Sequence, residues 1–156
     1  MKFCLKCFSS NVQNDVCANC GSNKTHEWVI HYVNNKICTE CEGDQDDDTA
    51  LKANIHTHGL LENYNHLEIQ ICLPIHPELA FSILNEVAYK VKGGKVFCEN
   101  TRYSEVLQNL DVLMVKAKDE GVDILRLIIP DKDGNLDKEK LTGDYQMQYK
   151  GILSIV

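Results

Sequence analysis

The sequence predicts an α+β fold: a mainly antiparallel sheet with one long helix packed on one face, preceded by a small cysteine-rich module. Two observations predict the sheet and the helix. Apolar and polar residues alternate over residues 66–73, and an apolar stripe at helical spacing follows over residues 77–92. Three CxxC pairs before residue 42 predict the module.

The helix over residues 77–92 carries signals at both ends. Pro77 suits the first helical position, Glu78 complements the helix dipole, and Gly93 or Gly94 suits the residue after the end. Its apolar stripe consists of Leu79, Ala80, Ile83, Leu84, Val87, Ala88 and Val91. We expect this stripe to pack on one face of a sheet.

Several segments are rich in the residues that favour strands. They are 27–33, 53–60, 66–73, 95–99, 111–118 and 123–130, and the tail at 145–156 could add one or two more. The segment at 123–130 is apolar except for Asp123 and Arg126, so we expect a central strand whose arginine faces water. Residues 130–137 resemble a calcium loop, but Gly134 is misplaced for one, and we predict a turn.

The composition excludes several functional classes. The chain has 16 basic and 23 acidic residues, with a net charge of −7, which disfavours nucleic acid as a partner and leaves a protein partner as the expectation. It shows neither a membrane-spanning run nor a secretory signal, so we expect a cytoplasmic protein with reduced cysteines. The oligomeric state is not determined by these features.

Six cysteines in three CxxC pairs are the strongest chemical signal. Two residues between cysteines let one turn direct both thiolates at a single zinc ion, and two turns complete a four-sulfur shell. We predict that the first two pairs share one Zn²⁺ in a zinc-ribbon-like module over residues 1–25. The ligands would be Cys4, Cys7, Cys17 and Cys20. Gly21 suits the positive φ of such a turn, whereas Phe8 occupies the equivalent position after the first pair.

The third pair, Cys38 and Cys41, admits other arrangements. Its spacing of 17 residues from the second pair also suits a four-cysteine zinc site. If the first two pairs bind together, Cys38 and Cys41 could hold a second zinc ion with two histidines, or they are free surface thiols or a redox couple. The candidate histidines are His26, His31, His56 and His58. An acidic run over residues 42–48 follows this pair. We predict that both belong to an insertion at about 36–50 within an α+β domain over residues 26–156.

The histidines at 56 and 58 lie in a predicted hairpin strand and project to one face, whereas Ile55 and Thr57 project to the other. Pairing this strand with residues 66–73 places His58 opposite Glu68 and His56 opposite Gln70. His56, His58 and Glu68 could then hold a metal ion, or the same side chains could form the solvated face of the sheet. The second interpretation agrees better with the apolar face on the opposite side.

A family resemblance spans residues 27 to about 150. The segments WVIHYV, NHLEIQICLP and LRLIIPDKDGNL, a strand ending in Gly59 and Leu60, and a long helix ending in glycine resemble the bacterial family known as domain of unknown function 4262. The resemblance implies a small α+β domain without an established activity. Members usually carry YTIGL where this chain has HTHGL, so the histidine pair departs from the family pattern.

These observations favour a small zinc-binding protein that acts as a non-enzymatic binding or regulatory module with structural zinc. No nucleophile with an adjacent base can be assembled from the sequence. A metal-dependent hydrolase using His56, His58 and Glu68 is the first alternative. The second is an immunity-type or inhibitor protein that binds a basic partner.

Overall fold

The computed structural model describes residues 1–34 and 53–152. In the N-terminal segment, β1 (Phe3–Cys4) pairs antiparallel with β4 (Thr25–His26), and β2 (Val12–Gln13) pairs antiparallel with β3 (Val16–Cys17). One CxxC turn follows β1 and the other follows β3. The prediction of an α+β fold with a small module near its N-terminus is confirmed.

Within the described residues, six strands form the main sheet. They are β5 (Val29–Asn34), β6 (Ala53–His58), β7 (Ile69–Ile71), β8 (Thr101–Tyr103), β9 (Val112–Asp119) and β10 (Val122–Ile128). Their order in the sheet is β5-β6-β7-β10-β9-β8, and every pairing is antiparallel except that of β7 with β10. The strand β10 has neighbours on both sides, so its predicted central place is confirmed.

One face of this sheet, the core face, packs against the long helix α2 (Pro77–Lys92). The helix has the predicted bounds, and the His76 side chain caps it by accepting a hydrogen bond from the Glu78 N–H at 3.2 Å. The stripe is buried except at Leu79, which is 51% exposed. Across the interface lie the core-face side chains of the sheet, among them Ile55, Ile69 and Ile71.

The other face of the sheet, the second face, is partly covered by the C-terminal part of the chain. Leu136, Leu141 and Tyr149 pack there against Val115 and Ile128. A short helix, α3 (Gly143–Met147), lies in this segment, where the sequence had suggested strands, so that prediction is wrong over its described part. Residues 153–156 lie outside the described residues.

This cover overturns the expectation that Arg126 faces water. Arg126 is only 2% exposed, and its guanidinium donates hydrogen bonds to Gln70 Oε1 at 2.9 Å, to Gln148 O at 3.0 Å and to Lys150 O. The charge is buried because the tail of the chain closes over the second face and supplies these carbonyl oxygens. A lone charge in an apolar strand usually faces solvent, and the sequence gives no local sign of the covering segment.

The strand predicted at 95–99 is also absent from the described structure, and β8 begins only at Thr101. The backbone N–H groups there bond to side chains instead, that of Phe97 to His66 Nε2 and that of Cys98 to the Tyr103 hydroxyl. The left-handed backbone of Asn100, with φ of 56°, then turns the chain into β8. Residues 131–135 form the predicted turn, closed by the Asp131 carboxylate.

The predicted hairpin between residues 53 and 73 forms with a modified connection. Helix α1 (Leu60–Tyr64) replaces the expected loop, and β7 is shorter than the predicted strand. The register has His56 opposite Gln70, as predicted. None of the helices among the described residues has the length and apolarity needed to cross a membrane.

Candidate metal centres

Two equivalent turns present the first four cysteines. The N–H of Phe8 donates to Cys4 O at 2.9 Å, and the N–H of Gly21 donates to Cys17 O at 2.8 Å. Phe8 and Gly21 both have positive φ, of 61° and 75°. The left-handed conformation is common for glycine and costs a residue with a Cβ about 1–2 kcal/mol, so Phe8 bears a strain that Gly21 does not.

These turns gather the four thiols into one group, which we call the cysteine cluster. Its members are Cys4, Cys7, Cys17 and Cys20, whose sulfur atoms all lie within 4.8 Å of one another. The Sγ atoms of Cys4 and Cys20 are 3.6 Å apart, as are those of Cys7 and Cys17. Two sulfur ligands of a tetrahedral zinc ion are separated by about 3.8 Å, given Zn–S bonds of about 2.3 Å. The cluster therefore has the dimensions of a site that could hold a metal ion.

Two thiols of the cluster have pKa values shifted in opposite directions. Against a backbone hydrogen bond from Ser9, burial and the neighbouring thiols raise the pKa of Cys7 to about 12, whereas the backbone favours the thiolate of Cys4. The N–H of Lys6 donates to Cys4 Sγ at 3.3 Å. Hydrogen bonding from the backbone of Cys7, with a smaller contribution from Lys6, lowers the pKa of Cys4 to about 6 despite the opposing effect of burial. Because the thiolate is the form that binds metal, this lowered pKa makes Cys4 available as a ligand at neutral pH.

The structure brings together the first two CxxC pairs, as the sequence predicts. Cys38 and Cys41 lie outside the described residues, so their part in a metal site stays a prediction. Of the four candidate histidines, His26 uses its Nδ1 to accept the N–H of Glu27 at 2.9 Å. The other three lie together elsewhere in the fold.

Pairing of β5 with β6 forms a second group, the histidine cluster of His31, His56 and His58. His31 lies directly opposite His56, and His58 follows on the same face two residues later. One ring nitrogen from each lies within 4.8 Å of the others, and the Nε2 atoms of His56 and His58 are 3.1 Å apart. All three are half-buried on the second face, and the ring of Phe8 meets His31 edge-on.

Two imidazoles of the cluster, those of His56 and His31, favour their neutral forms. Burial, together with the neighbouring His58, lowers the pKa of His56 to about 4 and also lowers that of His31. Neutral imidazole is the form that coordinates metal ions. From the sequence, His31 is only a candidate partner of Cys38 and Cys41. The alternation in VIHYV indicates which side chains share its face, but its approach to His56 and His58 depends on the pairing of β5 with β6.

Glu68 does not join these histidines as a ligand in the way the hydrolase alternative required. Its carboxylate accepts hydrogen bonds from the Thr57 hydroxyl at 2.8 Å and from the backbone N–H groups of Gly59, Leu60 and Leu61 at 3.0, 3.1 and 3.2 Å. Three of these donors belong to the start of α1 or the residue before it, where N–H groups lack partners within the helix. Glu68 therefore anchors α1 to the hairpin.

We expect Glu68→Gln to destabilise the fold without changing its metal content. The substitution removes the charge from four hydrogen bonds and turns an NH₂ group toward backbone donors, for a cost of about 1–3 kcal/mol. Urea unfolding would measure the cost, and elemental analysis would measure the metal content. Glu62→Gln, the same change at an exposed position of α1, is the control and should have little effect. Loss of a metal ion from Glu68→Gln alone would return this carboxylate to the ligand set.

The fold and the clusters define an α+β domain joined to a cysteine-rich N-terminal segment that could hold a metal ion. A family model described as domain of unknown function (DUF4262) matches residues 24–140, and the chain belongs to this family. The match includes the histidine cluster and begins after the cysteine cluster. Comparison with curated proteins found no match, and neither did comparison with solved structures.

Proposed function

We propose that this protein is a zinc-binding, non-enzymatic binding or regulatory module in which the cysteine cluster holds one structural Zn²⁺. The observation that carries the proposal is the mutual approach of four sulfur atoms within 4.8 Å. Four thiolates complete a tetrahedral shell and leave no position for a substrate, so the ion stabilises the fold rather than reacting. A segment of about 25 residues is too small to form a sufficient core, and zinc supplies the missing free energy.

Contacts between the module and the rest of the chain support a role in binding. Phe3 of the module packs beside Gly59, and the N-terminal amine of Met1 donates to Asn63 Oδ1 at 2.7 Å. Zinc would thus hold the module over residues 1–25 in a defined position against the α+β domain. A groove of about 330 Å³ forms at this junction, lined by residues that include Leu5, Phe8, Trp28, Phe81 and Tyr89.

The character of this groove supports a protein partner. Leu5, Phe8 and Tyr89 are each about half exposed, at 47%, 50% and 56%, and apolar side chains of this kind are common at protein interfaces. The net charge of −7 disfavours the phosphate backbone of a nucleic acid. A partner that offers apolar side chains to the groove satisfies both observations.

Cobalt substitution tests the structural zinc site. Untagged full-length protein in which Co²⁺ replaces zinc should show the near-ultraviolet charge-transfer band of thiolate ligands. We expect Cys38→Ser/Cys41→Ser to keep this band, because the cysteine cluster remains complete. Cys4→Ser/Cys20→Ser should lose the band and one zinc per chain by elemental analysis. Loss of the band in the Cys38→Ser/Cys41→Ser variant, or its persistence in the Cys4→Ser/Cys20→Ser variant, would contradict the assignment.

A further inference from the structure

We propose that the histidine cluster is a second metal site, in which His31, His56 and His58 bind one late divalent transition-metal ion such as Zn²⁺. The proposal goes beyond the structural zinc of the cysteine cluster and does not depend on it. It rests on the spacing of the three rings, on the hydrogen bond that orients one of them, and on the donor set.

The spacing agrees with shared coordination. With Zn–N bonds of about 2.0 Å, two nitrogen ligands of a tetrahedral ion lie about 3.3 Å apart. The Nε2 atoms of His56 and His58 are separated by 3.1 Å, and a nitrogen of His31 lies within 4.8 Å of both. Small rotations of half-buried rings would bring all three nitrogens to one ion. A separation of 3.1 Å also suits a hydrogen bond between two imidazoles, and a measurement of ion binding distinguishes that hydrogen bond from shared coordination.

A hydrogen bond defines which nitrogen of His56 is available. Its Nδ1 lies 2.9 Å from Asn54 Oδ1, while the Asn54 amide nitrogen donates to Asp119 Oδ2 at 3.3 Å. Since Asn54 Oδ1 is an acceptor, Nδ1 of His56 carries the proton, and Nε2 presents its lone pair toward His58. Histidine ligands of metal ions are commonly oriented in this way by an oxygen acceptor on the other ring nitrogen.

The orienting group is itself held by buried side chains. Asn54 Oδ1 also accepts a hydrogen bond from Gln70 Nε2 at 2.9 Å, and Gln70 Oε1 accepts one from Arg126 Nε at 2.9 Å. Gln70 and Arg126 are 0% and 2% exposed. This chain of hydrogen bonds crosses three strands of the second face and ends at His56. It gives the ring a defined orientation before any ion binds.

The donor set indicates the class of metal. Three imidazole ligands favour Zn²⁺, Co²⁺, Ni²⁺ or Cu²⁺ over Mg²⁺ or Ca²⁺, which prefer oxygen ligands. The carboxylate of Glu68 is occupied by its bonds to Thr57 and α1. Three protein ligands leave the fourth position of a tetrahedral ion to water, so this site would differ from the closed four-sulfur shell.

Equilibrium dialysis of the untagged full-length chain against Zn²⁺ tests the proposal. We expect the wild-type protein to bind one more ion than His58→Gln or His31→Gln. His76→Asn is the matched control, because it removes an exposed imidazole but keeps a side chain that can cap α2. It should bind as the wild type does. Asn54→Ala should bind the second ion about 10–100-fold more weakly, because His56 loses its orienting acceptor.

A measurement on the wild-type chain avoids dependence on the folding of variants. Long-range ¹H–¹⁵N spectra should show that Zn²⁺ shifts the ring nitrogens of His31, His56 and His58 and leaves those of His66 and His76 unchanged. The proposal is overturned if these three rings do not respond to Zn²⁺. It is equally overturned if a second ion survives His58→Gln and is lost from Cys38→Ser/Cys41→Ser.

Discussion

The Gly59→Ala variant is expected to lose more than about 3 kcal/mol of stability, a large part of the roughly 5–15 kcal/mol typical of a domain. Gly59 has φ of +123°, a backbone conformation that residues with a Cβ rarely adopt. A Cβ built there would lie 2.3 Å from Glu27 O and 2.9 Å from Trp28 Cα. Both are backbone atoms, so relief requires movement of the chain before β5 or of the turn into α1.

Chemical denaturation at a fixed zinc concentration would measure this loss. Gly94→Ala is the matched control: Gly94 has φ of +103°, but nothing lies within 4 Å of the added Cβ. Gly94→Ala should lose only about 1–2 kcal/mol of stability, which is the cost of a Cβ in a backbone conformation with positive φ. Equal losses for the two variants would show that the backbone contact at Gly59 relaxes without cost.

Arg126→Met is expected to cost about 3 kcal/mol, the second large effect. The substitution keeps much of the buried side-chain volume. It removes the guanidinium donors, so the acceptor oxygens of Gln70, Gln148 and Lys150 each lose a hydrogen bond. We expect amide exchange of Tyr149 and Ile152 to accelerate as well, because the guanidinium holds their segment on the second face.

Arg102→Met provides the comparison for Arg126→Met. The Arg102 side chain is 53% exposed and contacts Asp137 at 3.5 Å, an ion pair worth less than about 1 kcal/mol at the surface. Urea unfolding should therefore show a larger loss of stability for Arg126→Met than for Arg102→Met. Equal losses of stability in the two variants would contradict the burial of Arg126 and would agree with the expectation that Arg126 faces water.

Much of the fold follows from local patterns. Residues 77–92 form the predicted helix because its apolar spacing, first proline and terminal glycine all act within a few turns. The two described CxxC turns are local as well, since each is closed by a hydrogen bond across four residues. Even the pairing of His56 with Gln70 could be deduced, because a hairpin with one buried face admits few registers.

Other features depend on contacts between distant segments. The strand predicted at 95–99 does not form, since His66 and the Tyr103 hydroxyl take the backbone donors that a neighbouring strand would have used. The parallel pairing of β7 with β10 is likewise non-local, because α2, β8 and β9 intervene in the chain. Neither feature has a signal within its own segment.

The candidate metal centres show the same division. The sequence is sufficient to identify the cysteine cluster as a candidate metal site. The spacing of a CxxC pair directs two thiolates at one ion, and a second pair follows after nine residues. The tertiary structure creates the histidine cluster, since His31 and His56 meet through the pairing of strands separated by residues 35–52. It also decided that Glu68 anchors α1 and that Arg126 is buried. The surroundings of these side chains depend on which distant segment packs against them. Alternation along a strand predicts the face on which a residue lies, but it does not predict which segment covers that face.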